Sequence, residues 1–259
     1  MDLRDRTLGR YLFVFRAYEP FQTTLLERAA RPGAVAVDVG ANIGVHTVLL
    51  GRRVGPGGRV IAFEPDPTSA SLLRRSLAAN RLGNVTCEEA AVMGRPGTVA
   101  LHLSRTNFGD HRVFDGGDDA RFNEGRARER ISVRAVALDD YLDEAGIRPA
   151  LLKMDIQGAE MAALPGMMRT LSDPGVVLFC EYWPYGLRLA GASPRGFLEA
   201  LGRTGLTLFE MREEDRTVRP VDLDELAGRY PDVGLTNLIA VHPEGIRPLE
   251  RALGVPLPG

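Results

Sequence analysis

Val37 to Gly44, reading VDVGANIG, is the stretch that most narrows what this chain can fold into. An apolar run, Ala34 to Val37, leads into it, and VHTVLLGRRV follows with apolar residues at helical spacing. A buried strand, a glycine-bearing turn and a helix start therefore fall in succession. Such a junction aims backbone N–H groups and the positive end of a helix at whatever sits above the turn. Asp38 adds a carboxylate there, which disfavours a bare phosphate and suits a ligand carrying hydroxyl and ammonium donors.

Strand and helix patterns alternate through the rest of the chain. Residues 59–63 (RVIAF) read as a second strand, 68–80 as a helix and 84–88 as a third strand. Segments 98–103 and 131–136 alternate in polarity and read as an antiparallel pair. A helix at 138–145 precedes a fourth parallel strand at 150–154. Helix 159–171, strand 175–181, helix 194–204, strand 206–211 and a last strand near 236–242 complete the order. This alternation predicts an α/β fold with a mainly parallel sheet covered on both faces. Ligands of such sheets bind beyond the carboxyl ends of the strands, which directs attention to Asp38, Glu64, Glu88 to Ala91, Asp155 and Glu181.

Composition excludes several classes. With 259 residues the chain fits one large domain, and its net charge of −2 offers no basic field for nucleic acid. No run approaches a membrane span, and MDLRDRTLGR lacks the apolar core of a signal peptide, so a cytoplasmic protein is expected. Cys87 and Cys180 are far apart in apolar runs and read as small buried thiols.

Glu64 closes the second strand within FEPD, 20 positions after Gly44. An acid placed there can accept both hydroxyls of a ribose. The turn is Gly40-Ala41-Asn42-Ile43-Gly44, with Asn42 where a dinucleotide binder needs its second glycine for pyrophosphate. A ligand with a ribose and no phosphate fits better, and S-adenosylmethionine is such a ligand. The alternative is that the glycines merely turn the chain while Asp38 and Glu64 cap helices.

The chain resembles the FkbM family of class I S-adenosylmethionine-dependent methyltransferases. The resemblance is carried by VDVGANIGVHT (37–47), GPGGRVIAFEPDP (55–67), NVTCEEAAV (84–92), NFGDHR (107–112), VALDDYL (136–142) and LLKMDIQGAE (151–160). It implies a class I, Rossmann-like methyltransferase fold: a mainly parallel seven-stranded sheet with helices on both faces and an inserted antiparallel pair. It also implies O-methylation of a hydroxyl on a sugar or natural product. It carries Asp38, Gly40, Asn42 and Gly44 to the methionine end of the cofactor, Glu64 to the ribose, and Glu89 and Ala90 to the adenine. Thr47, Pro65 and Asp66, inside the same motifs, join that set. Gln157 stands where many members have Glu, so an acidic role is not assumed there.

Asp155, at the mouth of the fourth strand, is expected at the cofactor and as a catalytic group that orients a hydroxyl or takes its proton; the competing reading is a helix N-cap. His111, in a polar loop, is the second candidate base. Asp110 and Arg112 are candidates to orient a sugar, and Glu181 and Trp183 to line the acceptor. Trp183 reads as a stacking wall with Tyr182 and Tyr185, or as ordinary packing under a loop. Residues 1–33 are expected to form an N-terminal helical cap, with Glu19 in the segment Tyr18 to Phe21 closing over the cofactor or merely starting a helix. Residues 34–244 are expected to form the methyltransferase domain, and 104–130 a substrate lid or, with its alternating charges, a solvated linker. The Pro-rich tail, 245–259, is expected on the surface or against a neighbouring subunit of a homo-oligomer. Asp155, Glu181 and Asp110 are carboxylates of the type that hold Mg²⁺, but no spacing brings them together, and no metal is expected. The expected acceptor is a small or glycosylated hydroxyl compound. Transfer to nitrogen of RNA, protein or a small molecule is the runner-up, opposed by DIQG where nucleobase enzymes carry an (N/D)PPY-like motif. A non-catalytic or dehydrogenase-like nucleotide binder comes third.

Overall fold

Alternate residues of the central strands belong to two different hydrophobic clusters, which is what a sheet buried on both faces requires. Val37, Ile61, Leu152 and Leu178 pack into one, while Ala36, Val60, Leu151 and Val177 pack into the other. The computed structural model describes residues 18–104, 107–115, 128–230 and 233–257. Within them β1 (Val35–Val39), β2 (Arg59–Phe63), β3 (Val85–Glu88), β7 (Leu151–Met154) and β8 (Val177–Tyr182) are parallel neighbours. Strand β11 (Thr236–Val241) inserts antiparallel between β8 and β9 (Thr207–Arg212). The sheet order is β3-β2-β1-β7-β8-β11-β9, with a further strand, β10 (Thr217–Pro220), beyond β9.

All seven expected strands are present, and β10 (Thr217–Pro220) adds an eighth at the edge. The hairpin into β10 turns through Arg216 at φ 54°, with the Asp215 carboxylate accepting from Thr217 N at 3.2 Å. No glycine or proline marks that turn, so it gives little signal in sequence. Strands β5 (Gly97–Leu103) and β6 (Glu129–Val136) form the expected antiparallel pair, joined by the short β4 (Ala91–Val92).

Helices cover both faces. Helix α1 (Pro20–Ala29) buries Phe21, Leu25 and Leu26 beside α2 (Val45–Val54); α3 (Pro67–Ala79) and α4 (Leu138–Glu144) follow their strands as expected. The N-terminal cap is thus helical from residue 20, and residues 1–17 lie outside the described residues. The expected helix 159–171 is instead α5 (Glu160–Ala163), a 3-10 turn at Leu164–Gly166 and α6 (Met168–Leu171). Pro165 breaks the hydrogen-bond ladder. Gly166 is packed so tightly that a Cβ would lie 2.2 Å from the carbonyl oxygen of Met93.

The tail is more ordered than its prolines suggest. Helices α7 (Pro184–Leu189), α8 (Pro194–Gly202) and α9 (Leu223–Arg229) precede a further helix, α10 (Ile246–Leu253), which packs on α1. Leu249, Leu253 and Leu257 are buried, and Arg28 Nη1 donates to Leu253 O at 2.5 Å. Apolar residues at helical spacing outweigh the prolines, and Pro248 falls in the first turn, where its missing N–H costs nothing. Both cysteines are free thiols; Cys180 is buried in the core and Cys87 is half-buried.

Candidate active site

The glycine turn is fastened to the two strands beside it. Gly40 and Ala41 each donate a backbone N–H to Phe63 O at 3.0 Å, tying the end of β1 to the end of β2. Gly40 has φ 79°, and a Cβ there would sit 1.9 Å from Asp155 O, so only glycine allows the turn to lie against the end of β7. Asn42 N donates to Glu64 Oε2 at 2.8 Å, and Asn42 Nδ2 donates to Phe108 O at 2.9 Å. Gly44 is the N-cap of α2. Asp38, fully buried, accepts the Thr47 hydroxyl at 2.6 Å. Asp38 and Thr47 therefore support the turn from below.

Glu64 and Asp66 form one corner. Glu64 Oε1 takes the Asp66 N–H at 2.8 Å, so each oxygen of this acid accepts one backbone amide and keeps capacity for a second donor. Burial pushes the Glu64 carboxyl up to about 7. Asp66 caps α3 through Ser69 N, and its Oδ2 stands 3.6 Å from His111 Nε2. His111 Nδ1 accepts Ser104 N–H at 3.0 Å, so a neutral ring carries its proton on Nε2, toward Asp66. Both nitrogens of His111 are thereby engaged, beside Asp66 rather than beside Asp155. Pro65 and Ala90 line the cavity; Glu89 does not, and pairs on the surface with Arg74 at 2.9 Å.

A second group of acids surrounds Lys153. Its Nζ lies 3.5 Å from Asp38 Oδ1 and 3.6 Å from Asp155 Oδ2, and donates to Gly40 O at 3.3 Å. Burial alone would lower this ammonium's pKa, but Asp38, Asp155, Glu19 and Glu181 outweigh it and raise it. Gln157, at φ 55°, donates Nε2 to Asp155 Oδ1 at 2.8 Å and to Glu181 Oε2 at 3.1 Å. Burial, then the charges of Asp155 and Glu160, raise Glu181 well above the usual carboxylate range. Glu19, at the start of α1, meets Gln22 at 2.9 Å and Asn237 at 3.3 Å, and burial followed by Asp155 brings it to about 7. His46 is buried beside Lys153 and is held down to about 3, first by burial and then by that charge.

The alternative reading of Asp155 as a helix cap does not hold. Helix α5 begins at Glu160 without a side-chain cap, and Glu160 itself accepts the Ile156 and Gly158 amides at 3.1 and 3.3 Å. Glu160 is buried, which brings it to about 7.

Three expected acceptor residues are spent on packing. Arg112 and Asp110 form a buried pair at 2.6 Å, and Arg128 meets the same carboxylate at 2.5 Å. The Arg112 backbone bonds to His102, so residues 107–112 run back along β5. Within the expected lid, 105–106 and 116–127 lie outside the described residues. Trp183 is a packing residue and not a stacking wall: it is 3% exposed, lies under the Arg112 guanidinium at 4.7 Å and donates Nε1 to Val233 O at 3.2 Å. Tyr182 is fully buried.

Lys153 was not singled out by sequence, although a lone lysine inside the apolar run ALLKM is a legible signal. A buried charge needs partners, and those partners mark a site. The turn, the Glu64 corner and the Lys153 cluster meet in one cavity of about 300 Å³, with Phe63, Ala90, Val92 and Phe108 among its apolar walls. Among the described residues no three His, Cys, Asp or Glu side chains converge as metal ligands, and Asp110 stands apart with its arginines.

Residues 38–189 match the model of the methyltransferase FkbM domain. Methyltransferase sdnD of Sordaria araneosa is 28% identical over 154 residues, covering 51% of this chain and 59% of that protein. This chain thus spans under two thirds of that relative's length. The 31-O-demethyl-FK506 methyltransferase FkbM of Streptomyces tacrolimicus is 29% identical over 186 residues, covering 62% of this chain and 67% of that one. A Clostridium thermocellum structure named as a candidate rRNA methylase superposes with a TM-score of 0.51 at 10% identity, covering 93% of this chain and 97% of that one, a likeness of fold alone. With the family's domain matched over more than half of its length, the chain belongs to the FkbM methyltransferase family.

Proposed function

We propose that this chain binds S-adenosylmethionine in the cavity above the glycine turn and transfers its methyl group to a hydroxyl of a small or glycosylated acceptor. The observation that carries the reading is the Glu64 carboxylate, lodged at the end of β2, with one backbone amide on each oxygen and lone pairs left for two ribose hydroxyls. The remaining residues fit the same ligand. The backbone of Gly40 to Asn42 lines the cavity, Ala90 and Phe63 provide apolar wall for a flat base, and Asp155 and Glu181 face the other end. An ammonium group suits those carboxylates, and among the described residues no cluster of cations lines the cavity for a pyrophosphate.

When bound, S-adenosylmethionine supplies an electrophilic methyl on a sulfonium, so that the acceptor oxygen forms an O–C bond as the C–S pair stays on sulfur. The chain must orient the hydroxyl, keep water out and receive one proton. Asp155 lines the cavity with its side chain 18% exposed, and it takes that proton. His111 orients the Asp66 corner instead, since its Nδ1 is taken by the Ser104 N–H and its Nε2 faces Asp66. The names of two relatives, a 31-O-demethyl-FK506 methyltransferase and a hexuronic acid methyltransferase, support a hydroxyl acceptor on a small or sugar-type compound.

Calorimetry of the full chain with S-adenosylmethionine and, separately, NAD tests the cofactor. Binding of the former alone is expected; binding of NAD alone overturns the reading. A library of hydroxylated metabolites screened with methyl-labelled cofactor identifies the acceptor, and label appearing only on amines would remove the hydroxyl.

A further inference from the structure

Lys153 is a charged residue inside a parallel sheet, between Leu152 and Met154, and only 4% exposed. A single ammonium there faces four acids from four elements. These are Asp38 on β1, Asp155 beyond β7, Glu181 on β8 and Glu19 before α1, with Glu160 on α5 adding its charge to Asp155 and Glu181. His46 on α2 also faces it and stays neutral. So many carboxylates in one buried site cannot all ionise, and the protein must decide which of them keeps the negative charge.

Geometry makes that decision. The ammonium is within 3.6 Å of Asp38 and Asp155. Gln157 adds a neutral donor to the other oxygen of Asp155, at 2.8 Å, and bridges from it to Glu181. Glutamate at position 157 would replace that donor with another acceptor and another charge. Asp155 is thus the acid gripped on both oxygens by donors while it lines the cavity.

We propose that Lys153 and Gln157 are positioning residues that together hold the Asp155 carboxylate aimed into the cavity, ready to accept a proton. The inference rests on the reading of Asp155 as the group that receives the acceptor's proton. In the transfer, the hydroxyl proton moves to an Asp155 oxygen while the acceptor oxygen bonds the methyl carbon and the sulfonium leaves as a neutral thioether. An Asp155 already protonated cannot take part.

The test is a carboxyl carbon NMR titration of the full chain without ligand, with the Asp155 signal assigned by its disappearance in Asp155→Asn. In Lys153→Met the Asp155 midpoint is expected to rise by about one pH unit or more, the size of effect a charge at this range exerts. In Gln157→Glu it is expected to rise by a smaller amount. Gln157 is half-buried, so this second variant keeps the test open should Lys153→Met fail to fold. The acid limb of methyl transfer to the acceptor found by screening moves with the midpoint, so each variant regains rate at higher pH. An unmoved midpoint in a folded variant overturns the inference and leaves Asp155 as the base. Full turnover by Asp155→Asn overturns the reading of Asp155 and the inference with it.

Discussion

Glu64 and Asp155 stand beyond the carboxyl ends of β2 and β7, on either side of β1, and they are held by different kinds of donor. Glu64 is gripped by two backbone amides, those of Asn42 and Asp66. Asp155 is gripped by two side chains, Lys153 and Gln157. Backbone amides come with the fold, and no substitution other than proline removes them. Side-chain donors can be exchanged one at a time. Under the proposed function the cofactor end is built from the architecture, and the chemical end from replaceable residues, where selection can adjust charge without moving the sheet.

Asp155→Asn gives the largest break in that contrast. Turnover is expected to fall by about 10²- to 10⁴-fold, the usual contribution of a positioned base. Calorimetric affinity for S-adenosylmethionine should fall far less, by about tenfold at most, since the proposed main anchor of the cofactor lies across β1. A loss of affinity as large as the loss of rate would merge the two regions into one. Glu64→Ala comes next: affinity is expected to fall about 100-fold, as two hydrogen bonds to a charged group are lost. Retained affinity would move the ribose elsewhere.

The pH dependence of stability separates the regions more gently. Glu19, Glu64 and Glu160 are each raised from 4.5 to about 7, chiefly by burial, and Glu181 is raised well above the usual carboxylate range by the same cause. Between those limits the folded chain holds protons that the unfolded chain has released, so stability is full below about pH 4.5 and declines as pH rises through 7. His46, lowered to about 3, acts in the opposite direction below pH 6.5 but is outnumbered. The melting temperature without ligand should fall between pH 5 and 7.5, and Glu64→Gln should flatten the curve. A melting temperature that climbs over this range would show the acids to be ionised and paired. The smallest effect is expected from Glu89→Ala, whose exposed contact with Arg74 contributes about 0–1 kcal/mol. A loss of affinity beyond about threefold would place Glu89 at the cofactor after all.

Much of this is legible in sequence because it depends on periodicity. Val37, Ile61 and Leu178 sit in apolar runs bounded by turn residues, and Glu64 and Asp155 follow at the ends that such sheets reserve for ligands. The rest depends on where separate segments meet. Asp110 and Arg112, two positions apart in a polar loop, look like acceptor contacts until the chain folds back on His102 and buries them. Trp183 is taken up by the same arginine. Glu160 follows a tight turn whose amides it collects, which no spacing announces. The helix at 246–253 was hidden by prolines that only matter in a helix interior.

Helix α1 carries Glu19 to the edge of the Lys153 cluster, and α10 is its packing partner, with Arg28 and Leu253 joined across 225 positions. On the ribosome, at about 5–20 residues per second, α1 waits on the order of ten seconds or more for that partner. The central strands emerge and can pair during this interval. The apolar side of α1 is meanwhile short of its cover, and assembly of the floor around Glu19 becomes one of the later events in the birth of the molecule.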